Sequence, residues 1–105
     1  MSDIKIKNDD GEFKFRVCGV IKNEGKYLMI KNPGNDFYCL PGGHVELGED
    51  TLVAVKREMS EEIKKTTKNE RLFAIIENFF EGRGHLYHEL GFYYIVETME
   101  NIETK

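Results

Sequence analysis

Six carboxylates follow a Pro-Gly-Gly turn within 22 residues of this chain: Glu46, Glu49, Asp50, Glu58, Glu61 and Glu62. The spacing of the last three is the informative part. On a helix, positions i, i+3 and i+4 share a face, so Glu58, Glu61 and Glu62 project together. Like charges at these spacings repel by about 0.2–0.5 kcal/mol per pair. A solvated face neutralised by neighbours is one reading, because Lys65 lies four residues after Glu61 and Arg57 adjoins the cluster. The other is chemical. Clustered carboxylates form a hard, oxygen-rich site of the kind that Mg²⁺ or Mn²⁺ occupies together with water and phosphate oxygens.

The turn before the helix suits that second reading. Pro41 pre-sets the turn, and Gly42 and Gly43 permit a close backbone approach that a side chain would block. A carbonyl there can be aimed at a cation beside the helix. Cations also answer a problem of charge. The chain carries 19 acidic against 15 basic residues, a net charge of −4, so it has no overall basic footprint for a nucleic-acid polymer. To hold a phosphate, it must concentrate positive charge locally or bridge through metal ions.

The elements that would position these groups read as strands, helix, strands. Phe13 to Ile21 and Lys26 to Lys31 are rich in aromatic and β-branched residues and flank the turn "KNEG", which predicts a hairpin. Asn32 to Asp36 reads as a loop, and Phe37 to Leu40 as a short strand leading into the turn. From Thr51 to about Lys65, Leu52, Val55, Met59 and Ile63 recur every three or four residues, so a helix with one apolar stripe is expected. Asp50 is placed to cap it, with Lys64 and Lys65 at its negative end. Arg71 to Phe80 and Leu86 to Glu97 predict two more strands around the Gly-rich turn "EGRGH". The expected fold is α+β: one domain over residues 1–105, with the helix packed on a mixed sheet.

The stretch from Gly43 to Lys65 resembles the Nudix box, G-x5-E-x7-R-E-U-x-E-E-x-G-U. Gly43, Glu49, Arg57, Glu58, Met59, Glu61 and Glu62 match seven of the nine specified positions. Lys64 and Lys65 stand where the family has Gly and an aliphatic residue. The preceding "LPGGHVE" also looks like the family's approach to the box, and a looser likeness runs from Phe15 to Glu97.

The resemblance implies an α/β/α sandwich, here without its last strand and helix, and a metal-dependent hydrolase. Its substrate would be a small nucleoside diphosphate linked to another group: a nucleoside triphosphate, a nucleotide sugar, ADP-ribose or similar. The cofactor would be Mg²⁺ or Mn²⁺. Carried over by position, Glu58, Glu61, Glu62 and the Gly42 carbonyl would ligate metal. Arg57 would orient a glutamate, with Glu49 as its partner, and Glu58 or Glu61 would act as general base. A left-handed residue would end the helix at Lys64 in the family pattern; here the helix could instead run on or its loop shift. The rival readings are a catalytically weak or inactive nucleotide- and metal-binding module, and a Mg²⁺-stabilised structural domain.

Other residues are weighed beside these. Gly43 and His44 stand where a phosphate could be touched. Phe79, Phe80 and Tyr87 could stack a nucleobase or belong to the core. Glu77, in an otherwise apolar strand, suggests a polar partner near the site, and His85 and His88 have an HxxH spacing that reads as surface and turn chemistry ahead of zinc. There is no Walker A sequence and no G-x-S-x-G elbow. Cys18 and Cys39 read as buried free thiols. The N-terminus lacks an apolar signal core and no apolar run approaches membrane-spanning length, so a cytoplasmic location and no membrane partner are expected. A chain that stops soon after "GFYYIVE" would leave sheet surface uncovered, which suggests homodimerisation.

Overall fold

The structure, a computed structural model, describes residues 2–31, 38–82 and 84–99. Among these residues seven strands and one helix follow each other as β1 (Lys5–Asn8), β2 (Gly11–Val20), β3 (Lys22–Asn23), β4 (Lys26–Tyr27), β5 (Gly42–His44), α1 (Thr51–Ile63), β6 (Thr67–Gly82) and β7 (His85–Thr98). The main sheet runs β1-β2-β7-β6, and β5 also pairs with β2. Its centre is a parallel ladder, Gly11 to Val20 beside Leu86 to Ile95. The other pairings in this sheet are antiparallel. The expected mixed sheet with a helix on it is therefore present. Among the described residues α1 is the single helix, as expected of an α/β/α sandwich without its last strand and helix.

Alternation along the strands decides which face the helix covers. Val17 and Ile21 from β2 and its end, with Tyr94 and Val96 from β7, form one core with Ala54, Val55 and Met59 of α1. Gly19 is part of that fit, because a Cβ there would run into the Met59 sulfur. The stripe is rotated slightly from expectation: Leu52 is 40% exposed and Ala54 is buried instead. The side chain of Asp50 accepts from the Val53 N–H at 2.8 Å, the predicted N-cap. Thr51 Oγ1 and the Tyr94 hydroxyl, 2.6 Å apart, pin this end of the helix to β7.

The helix does not run on to Lys65. It ends at Ile63, and Lys64 takes the left-handed conformation itself (φ 57°, ψ 36°). Its ammonium donates to the Glu61 carbonyl at 2.8 Å, satisfying one of the open carbonyls of the last turn. A side chain in this conformation costs about 1–2 kcal/mol, which glycine avoids. Lys64→Gly is therefore expected to raise the free energy of unfolding by about 1 kcal/mol in a denaturant titration. A loss of stability would show that the ammonium contact outweighs the strain.

Three expectations need correction. The strand predicted for Lys26 to Lys31 is limited to Lys26–Tyr27 in a separate ribbon with β3, while the predicted hairpin turn is present, with Glu24 and Gly25 both at positive φ. Beyond it, Ile30 forms an isolated bridge with Cys39, so among the described residues 38–40 there is one bridge in place of a strand. Phe37 and the loop Asn32 to Asp36 lie outside the described residues. Finally, Cys18 is buried but Cys39 is only half-buried. Burial pushes the Cys18 thiol up to about 11, so it is a packing group and not a nucleophile.

β1 is an element that composition did not announce. Asn8 makes it possible: its side-chain oxygen accepts from the N–H groups of Asp10 and Gly11 and folds the chain back onto β2. The segment before β1 then ties the site loop down, through Ile4 N–H to the Val45 carbonyl at 2.7 Å and Leu47 N–H to the Ser2 carbonyl at 2.8 Å.

Candidate functional site

β5 brings the Gly-Gly turn against the carboxylate helix. Gly19 donates to the Pro41 carbonyl and Val45 to the Phe15 carbonyl, with Cys18 opposite Gly42. In an antiparallel ladder this alternation turns both polar groups of Gly42 away from β2. Its N–H donates to Glu62 Oε2 at 2.8 Å, and its carbonyl lies on the same outer edge. Gly43 faces the helix. A Cβ at that position would fall on the carboxylate of Glu58, so the glycine is what lets Glu58 rest against the backbone.

Arg57 organises the acids around it. Its guanidinium holds Glu49 with two bonds, Nε at 3.1 Å and Nη2 at 2.6 Å. The other η nitrogen donates to Glu58 Oε1 at 2.8 Å and Glu61 Oε2 at 3.2 Å. Nη2 also reaches the His44 carbonyl at 3.0 Å. Glu46 completes the set from two sides, 3.7 Å from Nη1 and with its N–H bonded to Glu49. The bond from Arg57 holds the Glu49 carboxyl below the ordinary range. The same contact raises Arg57 further above its usual value. Glu58 moves the other way. Burial pushes its carboxyl up against the pull of Arg57, and the charges of Glu61 and Glu62 add to the push.

The sequence-predicted residues thus separate into two groups. Gly42, Gly43, Glu49, Arg57, Glu58, Glu61 and Glu62 come together at the edge of β5. The three glutamates share one side of the helix, yet their carboxylates are drawn apart, Glu62 towards Gly42 and the other two towards Arg57. Among the described residues, no three acidic, His or Cys side chains form a ready-made metal cage. The donor chemistry still suits a hard divalent cation: carboxylate oxygens and an outward carbonyl, with the half-buried Glu58 destabilised as a charge.

Phe79 and Tyr87 fall in the second group. Tyr87 stands opposite Glu12 and Gly43 opposite Val17 on β2, which separates them by about 16 Å along the strand. Phe79 is 63% exposed on the outermost strand, β6, beside His88, and Phe80 stacks on Tyr87. Neither the core nor the carboxylate edge takes these rings, because the β6–β7 hairpin reaches well past the helix. Glu77 finds its polar partner there too: His88 Nε2 at 3.0 Å. His44 is on the face of the sheet opposite α1, beside Arg16. Burial lowers its pKa, with Arg16, Lys14 and Lys5 lowering it further and Asp3 opposing.

A family profile, the NUDIX domain, matches residues 12–105. The chain belongs to the Nudix family. Among curated proteins it is 38% identical over 74 residues to an ADP-ribose pyrophosphatase of Methanocaldococcus jannaschii, covering 67% of this chain and 44% of that one. It is also 32% identical over 87 residues to an 8-oxo-dGTP diphosphatase of Escherichia coli, covering 78% and 64%. The chain therefore spans about half to two thirds of the length of these relatives. Among solved structures, a Nudix hydrolase from Nitrosomonas europaea superposes with a TM-score of 0.61 at 30% identity over 79% of this chain and 58% of that one. A MutT Nudix hydrolase from Burkholderia pseudomallei shares the fold with a TM-score of 0.70 at 24% identity, over 81% and 67%. No helix of this Nudix chain is long and apolar enough to cross a membrane, among the described residues.

Proposed function

We propose that this Nudix chain hydrolyses a phosphoanhydride bond in a small nucleoside diphosphate linked to another group, with Mg²⁺ or Mn²⁺ bound. One observation carries the reading: Arg57 fixes Glu49, Glu58 and Glu61 in a single hydrogen-bonded array against the Gly42-Gly43 edge. A solvated helix face has no need of a guanidinium with this many acceptors.

Glu58, Glu61, Glu62 and the Gly42 carbonyl would hold the cation. When bound, it neutralises charge developing on the phosphoryl oxygens and lowers the pKa of water. The protein's own groups do the rest. Arg57 holds the Glu58 and Glu61 carboxylates in place, and Glu49 holds Arg57 from the opposite side through a bidentate pair. Gly43 keeps space for the Glu58 carboxylate. Glu58 and Glu61 are the candidates to accept a proton from the attacking water. Glu58 is half-buried with a raised pKa, whereas Glu61, with a side chain 59% exposed, is better placed to meet solvent.

The names of two relatives, an ADP-ribose pyrophosphatase and an 8-oxo-dGTP diphosphatase, support ADP-ribose and a nucleoside triphosphate as the first substrates to try. A catalytically weak nucleotide- and metal-binding module is the second reading, favoured by the separation of the Glu62 carboxylate from the other two. Phosphate and nucleotide release from ADP-ribose, 8-oxo-dGTP and a nucleotide sugar, with Mg²⁺ and then with EDTA, separates the two. Turnover that is lost in EDTA and in Glu61→Gln is the expected result. Nucleotide binding without turnover by the wild type would leave the module.

A further inference from the structure

The unexplained polar atoms of this molecule lie on the face of the sheet away from α1. Among the buried side-chain nitrogens and oxygens described, Arg16 Nε and His44 Nε2 lack a hydrogen-bond partner. They are neighbours, since Arg16 of β2 is paired with His44 of β5. By the ladder's alternation this is a pair whose backbones do not bond to each other, the arrangement in which side chains stand closest. A buried hydrogen-bonding group left unmade costs about 1–3 kcal/mol. Two such groups side by side are a costly coincidence unless something else takes them up.

Their surroundings say what that would be. The Arg16 side chain is 32% exposed, and its recorded ion pair, η nitrogen to Glu89, is 3.9 Å long, beyond hydrogen-bond distance. Lys14 lies two residues back on the same face and sits over the Tyr87 ring at 5.3 Å. Arg16, Lys14 and Lys5 act on the His44 ring as positive charges, opposed by Asp3, whose carboxylate is 3.8 Å from His44 Nδ1. Glu12 and Glu89 stand beside Lys5 and Arg16 at 4.0 and 3.9 Å. Acids therefore match the bases here, and it is the unpartnered donors, not net charge, that mark the place. Directly opposite on β7, Arg16 meets Gly91, and the ring of Tyr93 lies over that glycine.

Its position relative to the carboxylate edge is equally specific. His44 is two residues from Gly42, about 7 Å along β5. A substrate anchored at that edge has Arg16 and His44 as its neighbours on the face of the sheet away from the helix.

We propose that Arg16 and His44 form a second anion contact, on the sheet face opposite α1, which takes the oxygens of a substrate phosphoryl group beyond the carboxylate edge. The inference rests on the hydrolase reading for its substrate but not for its test. Arg16 is a specificity residue in this account, favouring substrates with a phosphate on that side over uncharged ones.

The test is a titration of the metal-free protein with inorganic pyrophosphate in EDTA, followed through the arginine Nε–Hε resonances in ¹⁵N NMR. The Arg16 resonance should shift saturably while that of Arg57 stays in place. Affinity should fall at least tenfold in both Arg16→Gln and Arg16→Lys, because a lysine keeps the charge but lacks the Nε donor. Lys68→Gln, on the outermost strand β6, should bind as the wild type does. An unmoved Arg16 resonance, an equal shift with sodium chloride at matched ionic strength, full affinity in Arg16→Lys, or loss of the shift in Lys68→Gln would each overturn the proposal. Should both Arg16 variants unfold, the wild-type resonance still decides. A protein that shows the shift but hydrolyses no nucleotide loses the hydrolase reading and keeps this one.

Discussion

Arg57→Lys should abolish most of the activity, by about a hundredfold or more, while the protein remains folded. The physical reason is geometric. The guanidinium donates to Glu49 twice, to Glu58, to Glu61 and to the His44 carbonyl at the same time. An ammonium keeps the charge but lacks the planar fork that sets these directions, and a displacement of about 1 Å in a reacting array can cost on the order of a hundredfold in rate. Some stability should be lost as well, since Glu49 and Glu58, with side chains 13% and 12% exposed, would keep their burial but not their fixed partner. Steady-state turnover and thermal melting of the variant measure both. Wild-type turnover would make Arg57 a solvated helix residue with no part in the site.

The second large effect is expected at the paired glycines, which should fail in different ways. An added methyl at Gly43 meets only the end of the Glu58 side chain, which can swing aside. Gly43→Ala is therefore expected to melt within a few degrees of the wild type and yet lose turnover by at least a hundredfold, because Glu58 is expelled from the backbone cradle that Arg57 holds it in. At Gly42 the methyl meets the Val17 carbonyl and the Cys18 backbone. Neither can yield without opening the β2–β5 ladder, so Gly42→Ala should destabilise the fold outright. Measuring melting and turnover side by side tests the distinction. An active Gly43→Ala would mean that Glu58 does not need its present position.

Much of this arrangement is legible in the residues because it is local. The Asp50 cap, the helix and the Arg57–Glu49 pair lie within 15 residues of one another in the chain, and helical geometry alone brings Arg57, Glu58 and Glu61 together. What the residues do not disclose is set by pairing between distant strands. The register of β2 on β7 decides that Tyr87 and Phe79 stand far from the carboxylates. The β2–β5 ladder aligns Arg16 with His44 on a face that a strand reading of "FKFRVCGVI" cannot assign to either neighbour. β1 is equally hidden: its segment "KIKN" is exposed throughout, and what signals it is the Asn8 turn that returns it to β2. At Lys64 the family pattern anticipates the left-handed residue correctly, although the local preference of lysine argues against it.

The central claim is that the carboxylate edge is a divalent-cation site, and a calorimetric titration of the metal-free protein with Mn²⁺ tests it most directly. One saturable site is predicted for the wild type. Glu62→Gln should bind Mn²⁺ at least tenfold more weakly, and its metal-free form should be no less stable, because removing one of three like charges relieves their repulsion. Equal Mn²⁺ affinity in the wild type and Glu62→Gln would contradict the account.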